Sequence, residues 1–340
     1  MLRRILMGAA LGLAAMPALA QDAVTVYGRV DMSYSRQARV FAAGRPTGDV
    51  VHALDSGGYN GSRLGFRGVE DLGGGLKALF VLEMGIQADT GVLAQGGREW
   101  GRQSYLGLEN RFARLTLGRQ YTPWFETLSL ADPFGNNLVG NSGNVAFANA
   151  RVDNALLLRS QKFGGFSAQA LWALGEGGAA GSQRNLAASY EADPLWVGVA
   201  YGEQKAATTG SFAIIGASWK VGPVKLFGHV TRLKDINPTV QPAPSLQPGS
   251  RGSSWLLGGS AALGAGTLIV SVVDLDDERA LDRDARQYAA GYVYPLSKRT
   301  SLYAATARIV NRNGGTLTVN TPSYVGRGEQ QTQLGVSHAF

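Results

Sequence analysis

The chain has 340 residues, a formal net charge of +7, 47 glycines and no cysteine. Disulfides, thiolate metal sites and cysteine nucleophiles are therefore excluded. The 32 lysines and arginines are scattered along the chain instead of forming a basic run, so we predict no nucleic-acid partner.

The first residues have the three parts of a secretory signal peptide. Arg3 and Arg4 precede an apolar run at residues 5–16, and Ala18 and Ala20 frame a cleavage site of small residues. The apolar run is shorter than the roughly 20 residues of a membrane-spanning helix, which argues against an uncleaved anchor. We predict that residues 1–20 are removed and that residues 21–340 form one domain.

From residue 23 onward, apolar and polar side chains alternate in short segments, as in half-buried β-strands. Near the end of the chain, for example, Leu334 and Val336 alternate with Gln333 and Ser337. Sixteen such segments lie at residues 23–34, 60–70, 76–87, 101–109, 113–121, 151–161, 166–174, 185–191, 195–205, 210–220, 224–234, 252–263, 267–275, 285–294, 299–310 and 328–340. Alternation by itself fits a soluble β-sandwich as well as a barrel.

The connections between the segments favour the barrel, because short turns alternate with long loops. The long loops are residues 35–59, 88–100, 122–150, 235–251 and 311–327. Short periplasmic turns, long external loops and an even number of strands are typical of outer-membrane barrels. We therefore predict an all-β fold, a 16-stranded antiparallel transmembrane β-barrel in the outer membrane of a Gram-negative bacterium.

One uncharged stretch, residues 252–273, is long enough for a membrane-spanning helix. It contains five glycines, and residues 264–266 interrupt it in the middle. We predict two strands joined by a tight turn.

Several motifs resemble those of the general porins of Gram-negative bacteria, and the porins of β-proteobacteria most closely. In chain order they are VYGRVD at residues 26–31, SRLGFRGVEDLGGGLKA at 62–78, residues 102–108, GRQ at 118–120 and GVSHAF at 335–340. The resemblance covers essentially the mature chain. It implies a homotrimer of water-filled channels for the passive diffusion of small hydrophilic solutes and ions. It also implies contacts with outer-membrane lipid, lipopolysaccharide and the barrel-assembly machinery, and no cofactor.

The resemblance further implies that the third external loop folds inward and faces a ladder of basic residues. Here that loop is residues 121–150, in which Pro133-Phe134-Gly135 resembles the tip motif without the extra acidic residue of enterobacterial porins. The residues carried over to the constriction are Arg29, Arg63, Arg102 and Arg151 on the wall and Glu126 and Asp132 in the loop. With four cations and two anions, we predict weak anion selectivity.

The two-residue period supports the inward direction of these arginines. Arg63 shares a face with Arg67, while Leu64 and Phe66 point to lipid, where an arginine at the midplane would cost about 2–4 kcal/mol. The arginines could instead tie down the loop or pair with the acidic residues Asp31, Glu83 and Asp153. The secondary lumen candidates are Arg67 and Arg159, which lie further from the predicted neck.

Two positions are ambiguous by parity or by role. Arg119 shares its parity with Leu115 and Leu117, so a β-bulge or a strand end must turn it away from lipid. The terminal Phe340 is predicted to be the signal that the assembly machinery reads. The alternative is an aromatic anchor at the membrane interface, and both roles can hold together.

Other functions find less support in the sequence. The histidines His52, His229 and His338 are not spaced as a metal site or a catalytic triad, so we predict neither an enzyme nor a metal site. An adhesin role of the loops stays open. Tyr105, Trp172, Tyr201 and Tyr303 are assigned to the lipid face, which argues against an aromatic path for one specific substrate.

Overall fold

A computed structural model of the protein describes residues 24–178, 181–206, 208–236, 250–321 and 326–340; the predicted signal peptide lies outside these ranges. The strands are β1 (Thr25–Ala42), β2 (Arg45–Pro46), β3 (Val50–Ser56), β4 (Arg63–Gly73), β5 (Leu76–Gln87), β6 (Val92–Leu93), β7 (Gln103–Glu109), β8 (Ala113–Tyr121), β9 (Arg151–Ser160), β10 (Phe166–Ala173), β11 (Ser182–Ala192), β12 (Leu195–Lys205), β13 (Thr209–Val221), β14 (Val224–Ile236), β15 (Ser250–Leu263), β16 (Gly266–Asp277), β17 (Ala285–Pro295), β18 (Thr300–Asn311) and β19 (Gly328–Ala339). The helical elements are a short turn α1 (Ala94–Gly97), the helix α2 (Pro123–Leu130) and a 3-10 turn at Ser142–Asn144.

Sixteen of these strands form a closed antiparallel wall, as predicted. Each wall strand pairs with the next, and β1 closes the barrel on β19 in a register that runs from Arg29 opposite Ala339 to Val40 opposite Gly328. β2 and β6 lie outside the wall. β3 and β4 both pair with β1, one after the other, and together they form one strand of the wall. Closure leaves no strand edge unpaired in lipid, where backbone groups have no water to bind.

The first long loop is shorter than the predicted residues 35–59. β1 continues to Ala42, and β3 pairs with it from Met32 opposite Ser56 to Ala38 opposite Val50. The inward face here is polar, with Ser35 and Gln37 buried, so the segment does not have the apolar composition expected of a strand core. Residues 57–62 separate β3 from β4.

The alternation of side chains separates a lipid face from a lumen face. On β15, Leu257 is 64% exposed while Leu256, its neighbour, is 1% exposed. The uncharged residues 252–273 belong to β15 and β16, joined by a turn in which Gly264 has a positive φ of 60°. The prediction of two strands is therefore confirmed. Within the described ranges, no helix is both long and apolar enough to cross a membrane.

The segment of residues 122–150, called the long inner loop below, starts with α2. The Thr122 hydroxyl accepts a hydrogen bond of 3.1 Å from the Phe125 backbone N–H, and Pro123 occupies the first turn, where its missing N–H has no cost. α2 packs against β11, β12 and β13 through Trp124, whose ring meets Phe212 edge-on at 4.9 Å.

The rest of the long inner loop crosses the face of the sheet opposite the exposed apolar side chains. On β17, Gln287 donates to the carbonyl oxygens of Gly140 and Asn141 at 3.0 and 3.1 Å, and its own oxygen accepts from Asn144 at 2.8 Å. A Cβ on Gly258 would lie 2.6 Å from Pro133, so only glycine permits this approach. Contacts with the long inner loop therefore require glycine at some positions of the lumen face.

Candidate functional site

Glu83 on β5 is the carboxylate around which three strands place their polar side chains. Arg102, just before β7, donates from Nε to Glu83 Oε1 at 2.7 Å. Arg63 on β4 brings Nη1 to 3.9 Å from Oε2, and the Tyr27 hydroxyl donates to Oε2 at 3.1 Å. Arg102 and Glu83 are 5% and 3% exposed, so the pair is held in a site that water screens poorly.

Tyr121, the last residue of β8, joins two of the arginines. Its hydroxyl oxygen accepts from Arg102 Nη2 at 2.9 Å and also from Arg151 Nη2. The Arg151 guanidinium carbon lies 4.2 Å from the centre of the Tyr121 ring, a cation–π arrangement. The same ring stacks on Phe125 of α2 at 5.4 Å and 7°, so it connects the wall to the long inner loop.

Arg29 completes the group. It lies directly opposite Arg63 in the β1–β4 register, and its Nη1 donates to the Ser337 hydroxyl at 2.8 Å. The structure thus brings together the four arginines that the sequence selected. We call Arg29, Arg63, Arg102 and Arg151, with Glu83 and Tyr121, the arginine cluster.

The three acidic residues considered as alternative partners of the arginines, Asp31, Glu83 and Asp153, have different contacts. Asp153 binds Arg98 and Arg119 at 2.7 and 2.5 Å, so neither of its partners is a predicted rung of the ladder. Glu83 does pair with rungs, as the alternative interpretation of the sequence required. Within the described residues, Asp31 forms no ion pair with an arginine and instead organises a second inward segment.

That second inward segment is residues 57–62, between β3 and β4. Asp31 is fully buried, and its carboxylate accepts from the backbone N–H groups of Tyr59 and Asn60 at 3.2 and 3.0 Å. It also accepts from the Tyr303 hydroxyl at 2.7 Å. The lumen face is therefore covered from two sides, by the long inner loop and by this segment.

Arg119 is turned by the β-bulge that its parity required. The β8–β9 register shifts between Gly118 and Gln120, and Arg119 donates from Nε to the Gly101 carbonyl at 2.7 Å. Gly118 has a φ of 132°, and a Cβ there would lie 2.2 Å from the Ser104 oxygen. Only glycine fits this position.

The two carboxylates predicted to face the arginines have other contacts. Glu126 on α2 accepts from both terminal nitrogens of Arg159 at 2.5 and 2.7 Å, and from Gln169 at 3.1 Å. Arg159, predicted as a peripheral lumen residue, is thus the residue that ties α2 to the wall. A bidentate pair of this kind fixes geometry as well as charge.

Asp132 does not face the arginine cluster, in contrast to the prediction. It is 2% exposed, and its oxygens accept from the backbone N–H groups of Phe134, Asn136 and Ser142 at 2.9, 3.2 and 2.9 Å. Burial raises the pKa of Asp132 to about 6. The carboxylate therefore shapes the tip of the long inner loop, because three turn amides converge on it.

The remaining predicted residues lie at the short-turn end of the barrel. Arg67 is exposed, with its guanidinium 5.2 Å from the centre of the Tyr27 ring. Phe340 exchanges two backbone hydrogen bonds of 3.1 Å with Gly28, and its ring lies where a Gly28 side chain would be. It is half-exposed at the seam between the first and the last strand.

Two of the four aromatic assignments are wrong. Trp172 and Tyr201 are exposed on the lipid face, as predicted. Tyr303 is 3% exposed and points inward to Asp31, and Tyr105 alternates with Leu106, which faces lipid at 62% exposure. Tyr121 was not selected from the sequence. The signal that could have found it is its position at the end of a strand, directly before a helix cap.

Comparison with known proteins gives the family. A sequence profile described as Gram-negative porin matches residues 8–314. The chain belongs to the Gram-negative porin family. It is 32% identical to outer membrane porin protein 32 of Delftia acidovorans over 352 residues, which covers 95% of each chain. An outer membrane porin protein of Bordetella pertussis is 28% identical over 343 residues, covering 84% of this chain and 89% of the relative.

A solved structure shows the same barrel. The anion-selective porin from Comamonas acidovorans has a TM-score of 0.78 and 31% sequence identity, and the match covers 94% of this chain and 100% of that one. This porin is thus an outer-membrane β-barrel that forms a channel for small hydrophilic solutes and ions.

Proposed function

We propose that this porin is a passive diffusion channel with a preference for anions, and that the arginine cluster sets the preference. The observation that carries the proposal is that the cluster contains four guanidinium groups and one carboxylate, that of Glu83. Two of the guanidinium groups, those of Arg63 and Arg102, lie against this carboxylate. The anion selectivity of the Comamonas acidovorans porin supports it. Rings of like charge are a general means by which pores select ions.

The long inner loop adds little negative charge against the cluster. Glu126 is paired with Arg159, and the oxygens of Asp132 are occupied by backbone amides. The Debye length at physiological salt is about 8 Å, so a lumen of similar size is only partly screened. We expect chloride to permeate faster than potassium, and the difference to shrink with rising salt.

A reversal-potential measurement tests this proposal. The purified porin is inserted in a planar bilayer between KCl solutions that differ about tenfold in concentration. The expected result is a zero-current potential whose sign indicates that chloride is more permeant than potassium, and which is largest at low salt. A potential of the sign for potassium at every salt concentration would overturn the anion preference and leave the channel itself standing.

Transport through this channel requires no chemical step, and we propose no catalytic activity. His52 hydrogen-bonds Tyr34 at 2.5 Å, and His338 hydrogen-bonds Thr300 at 2.9 Å. These contacts join neighbouring strands, β1 to β3 and β18 to β19.

We also propose the homotrimer implied by the family, surrounded by outer-membrane lipid and lipopolysaccharide. Supporting it are exposed apolar side chains on β1 and β19, among them Val26, Val30 and Leu334, which suit a flat contact with another barrel. Electrophoresis without heating should show a band near three monomer masses that collapses on heating. A single monomer band after mild extraction would contradict the trimer.

The ends of the chain carry two further proposals. Phe340 is proposed as the residue that the barrel-assembly machinery reads, and residues 1–20 as a cleaved signal peptide. Deleting Phe340 should reduce the folded porin in the outer membrane while the exported chain still begins at Gln21, which N-terminal sequencing checks. Normal amounts of folded barrel after the deletion would remove the assembly role.

A further inference from the structure

A cavity of about 760 Å³ opens beside the arginine cluster at the long-loop ends of β9, β10 and β11. The residues that border it include Arg98, Arg119, Arg151, Asp153, Glu176 and Gln183. Its size suits a small solute, and its lining carries charges of both signs. The constriction proposed above uses Arg151 alone among these residues.

One side of the cavity has an excess of guanidinium charge. Arg98 and Arg119 share the single carboxylate of Asp153, at 2.7 and 2.5 Å. Two cations on one anion leave the pair with one positive charge that a ligand can neutralise. The Arg98 side chain is 53% exposed, so it can turn toward a bound molecule.

The lining also includes a carboxylate without a basic partner in the described parts of the chain. Glu176 is exposed and accepts only a neutral amide, from Asn154 Nδ2 at 2.6 Å. A cation here would gain a charge-assisted hydrogen bond. An anion alone would be repelled by Glu176, and a cation alone by the arginines.

A buried donor also borders the cavity. Gln183 is 2% exposed, and its Oε1 accepts from Asn149 at 2.7 Å. Its Nε2 has no hydrogen-bond partner among the described residues. Buried donors are rarely left in this state, so a molecule in the cavity that accepts from Gln183 would remove a cost of the empty site.

The backbone around the cavity is strained. Gln95, Asn154 and Glu176, which all border it, have left-handed φ values of 51°, 52° and 45°. Non-glycine residues are uncommon in this region of backbone conformation and concentrate at ligand sites.

We propose that this cavity binds a small zwitterion, a free α-amino acid, before it passes the arginine cluster. The ligand carboxylate lies against Arg98, Arg119 and the Gln183 amide, and the ligand ammonium lies against Glu176. The inference rests on the proposed channel function and adds a solute class to it. The site raises the local concentration of amino acids at the entrance, which matters most when they are dilute outside.

Three matched solutes test the charge requirement. L-alanine carries both groups, propionate lacks the ammonium and ethylamine lacks the carboxylate. Each is titrated in a planar bilayer at fixed KCl concentration, and the fall in single-channel conductance is measured. We expect a saturable fall with L-alanine, a weaker one with propionate and none with ethylamine. A linear or equal response to all three would overturn the site.

Two variants with little risk to folding locate it. Glu176→Gln should weaken the apparent affinity for L-alanine about tenfold or more, as expected for the loss of one charge-assisted hydrogen bond, without weakening that for propionate. Arg98→Gln should weaken both. Asp282→Asn is the control. Asp282 is also an acidic residue with a left-handed backbone conformation, and its carboxylate accepts from the side chain of Asn313, but it does not border the cavity.

The outcome separates this inference from the proposed function. Loss of L-alanine binding in Glu176→Gln with an unchanged reversal potential supports the site. Binding that is equal in Glu176→Gln and Asp282→Asn overturns it, whatever the reversal potential. A potassium-selective wild type with saturable L-alanine binding would overturn the anion preference alone.

Discussion

The arginine cluster and the long inner loop both carry charge inside the barrel, but they use it differently. The cluster has four guanidinium groups and one carboxylate. Arg63 and Arg102 lie against Glu83, and Arg151 donates to the phenol of Tyr121. In the loop, the carboxylate of Glu126 is matched by one arginine, and that of Asp132 by three backbone amides. The cluster is charged in excess, whereas the loop is balanced.

The difference shows that a count of charged residues near a neck does not give its selectivity. A buried carboxylate that accepts three amides contributes to the shape of the loop, and its field is partly cancelled by those dipoles. A guanidinium held by a phenol keeps its full charge. Selectivity should therefore follow the cluster, and the loop should govern the steadiness of the current.

The largest effect is expected from Arg63→Ser combined with Arg102→Ser. Two of four cations disappear and Glu83 stays, so the chloride-to-potassium permeability ratio should fall about threefold or more, equivalent to about 0.7 kcal/mol. The control is Arg286→Ser with Arg308→Ser, the same change of charge on the lipid side of the wall. Reversal potentials of both variants are compared; equal shifts would place selectivity outside the cluster.

Glu83→Gln should move selectivity the other way, by about twofold. The amide keeps the size of the side chain and still accepts from Arg102, while the one negative charge of the cluster is lost. Reversal potential gives the ratio, and heat-modifiable electrophoresis shows that the barrel still closes. A drop in the anion preference would mean that Glu83 mainly holds the arginines in position.

The ion pair between Glu126 in the loop and Arg159 on the wall should have a smaller effect on selectivity. Glu126→Gln combined with Arg159→Gln removes one charge of each sign, so the permeability ratio should stay within about 20% of the wild type. The tie between α2 and β9 is lost, and open-channel current noise should rise. If selectivity instead changed as much as in Glu83→Gln, the loop would share control of it.

The smallest effect concerns pH. Because the pKa of Asp132 is about 6, lowering the pH from about 7 to about 5 protonates it and removes a negative charge. Anion preference should rise slightly over this interval, since less negative charge remains near the lumen. Asp132→Asn should have a flat profile between the same pH values; an unchanged slope would assign the titration to another group.

The sequence predicted the barrel and the arginines because a period of two residues and the cost of charge in lipid act on every strand. It failed where the long inner loop covers the wall. On β18, Tyr303, Ala305 and Ile309 are buried beneath that loop and its neighbours, so the inward face of the strand is apolar where a lumen face is expected to be polar. Tyr303 was assigned to the wrong face for this reason.

The roles of the carboxylates were beyond the sequence for a related reason. Glu126 and Asp132 lie six residues apart in one loop, and only the path of that loop decides that one meets Arg159 and the other meets amides. Arg119 was different, because a conflict between parity and charge on a single strand already required the bulge at Gly118.

The seam between β1 and β19 has a practical consequence for handling the protein. Phe340 fills the space above Gly28, where a Cβ would lie 2.4 Å from its ring, and both of its backbone groups are bonded to Gly28. An affinity tag added after Phe340 would begin at this seam, and we expect it to interfere with the pairing of β1 and β19. The exposed turn at residues 43–44, between β1 and β2, is a position where an epitope could be inserted away from this seam.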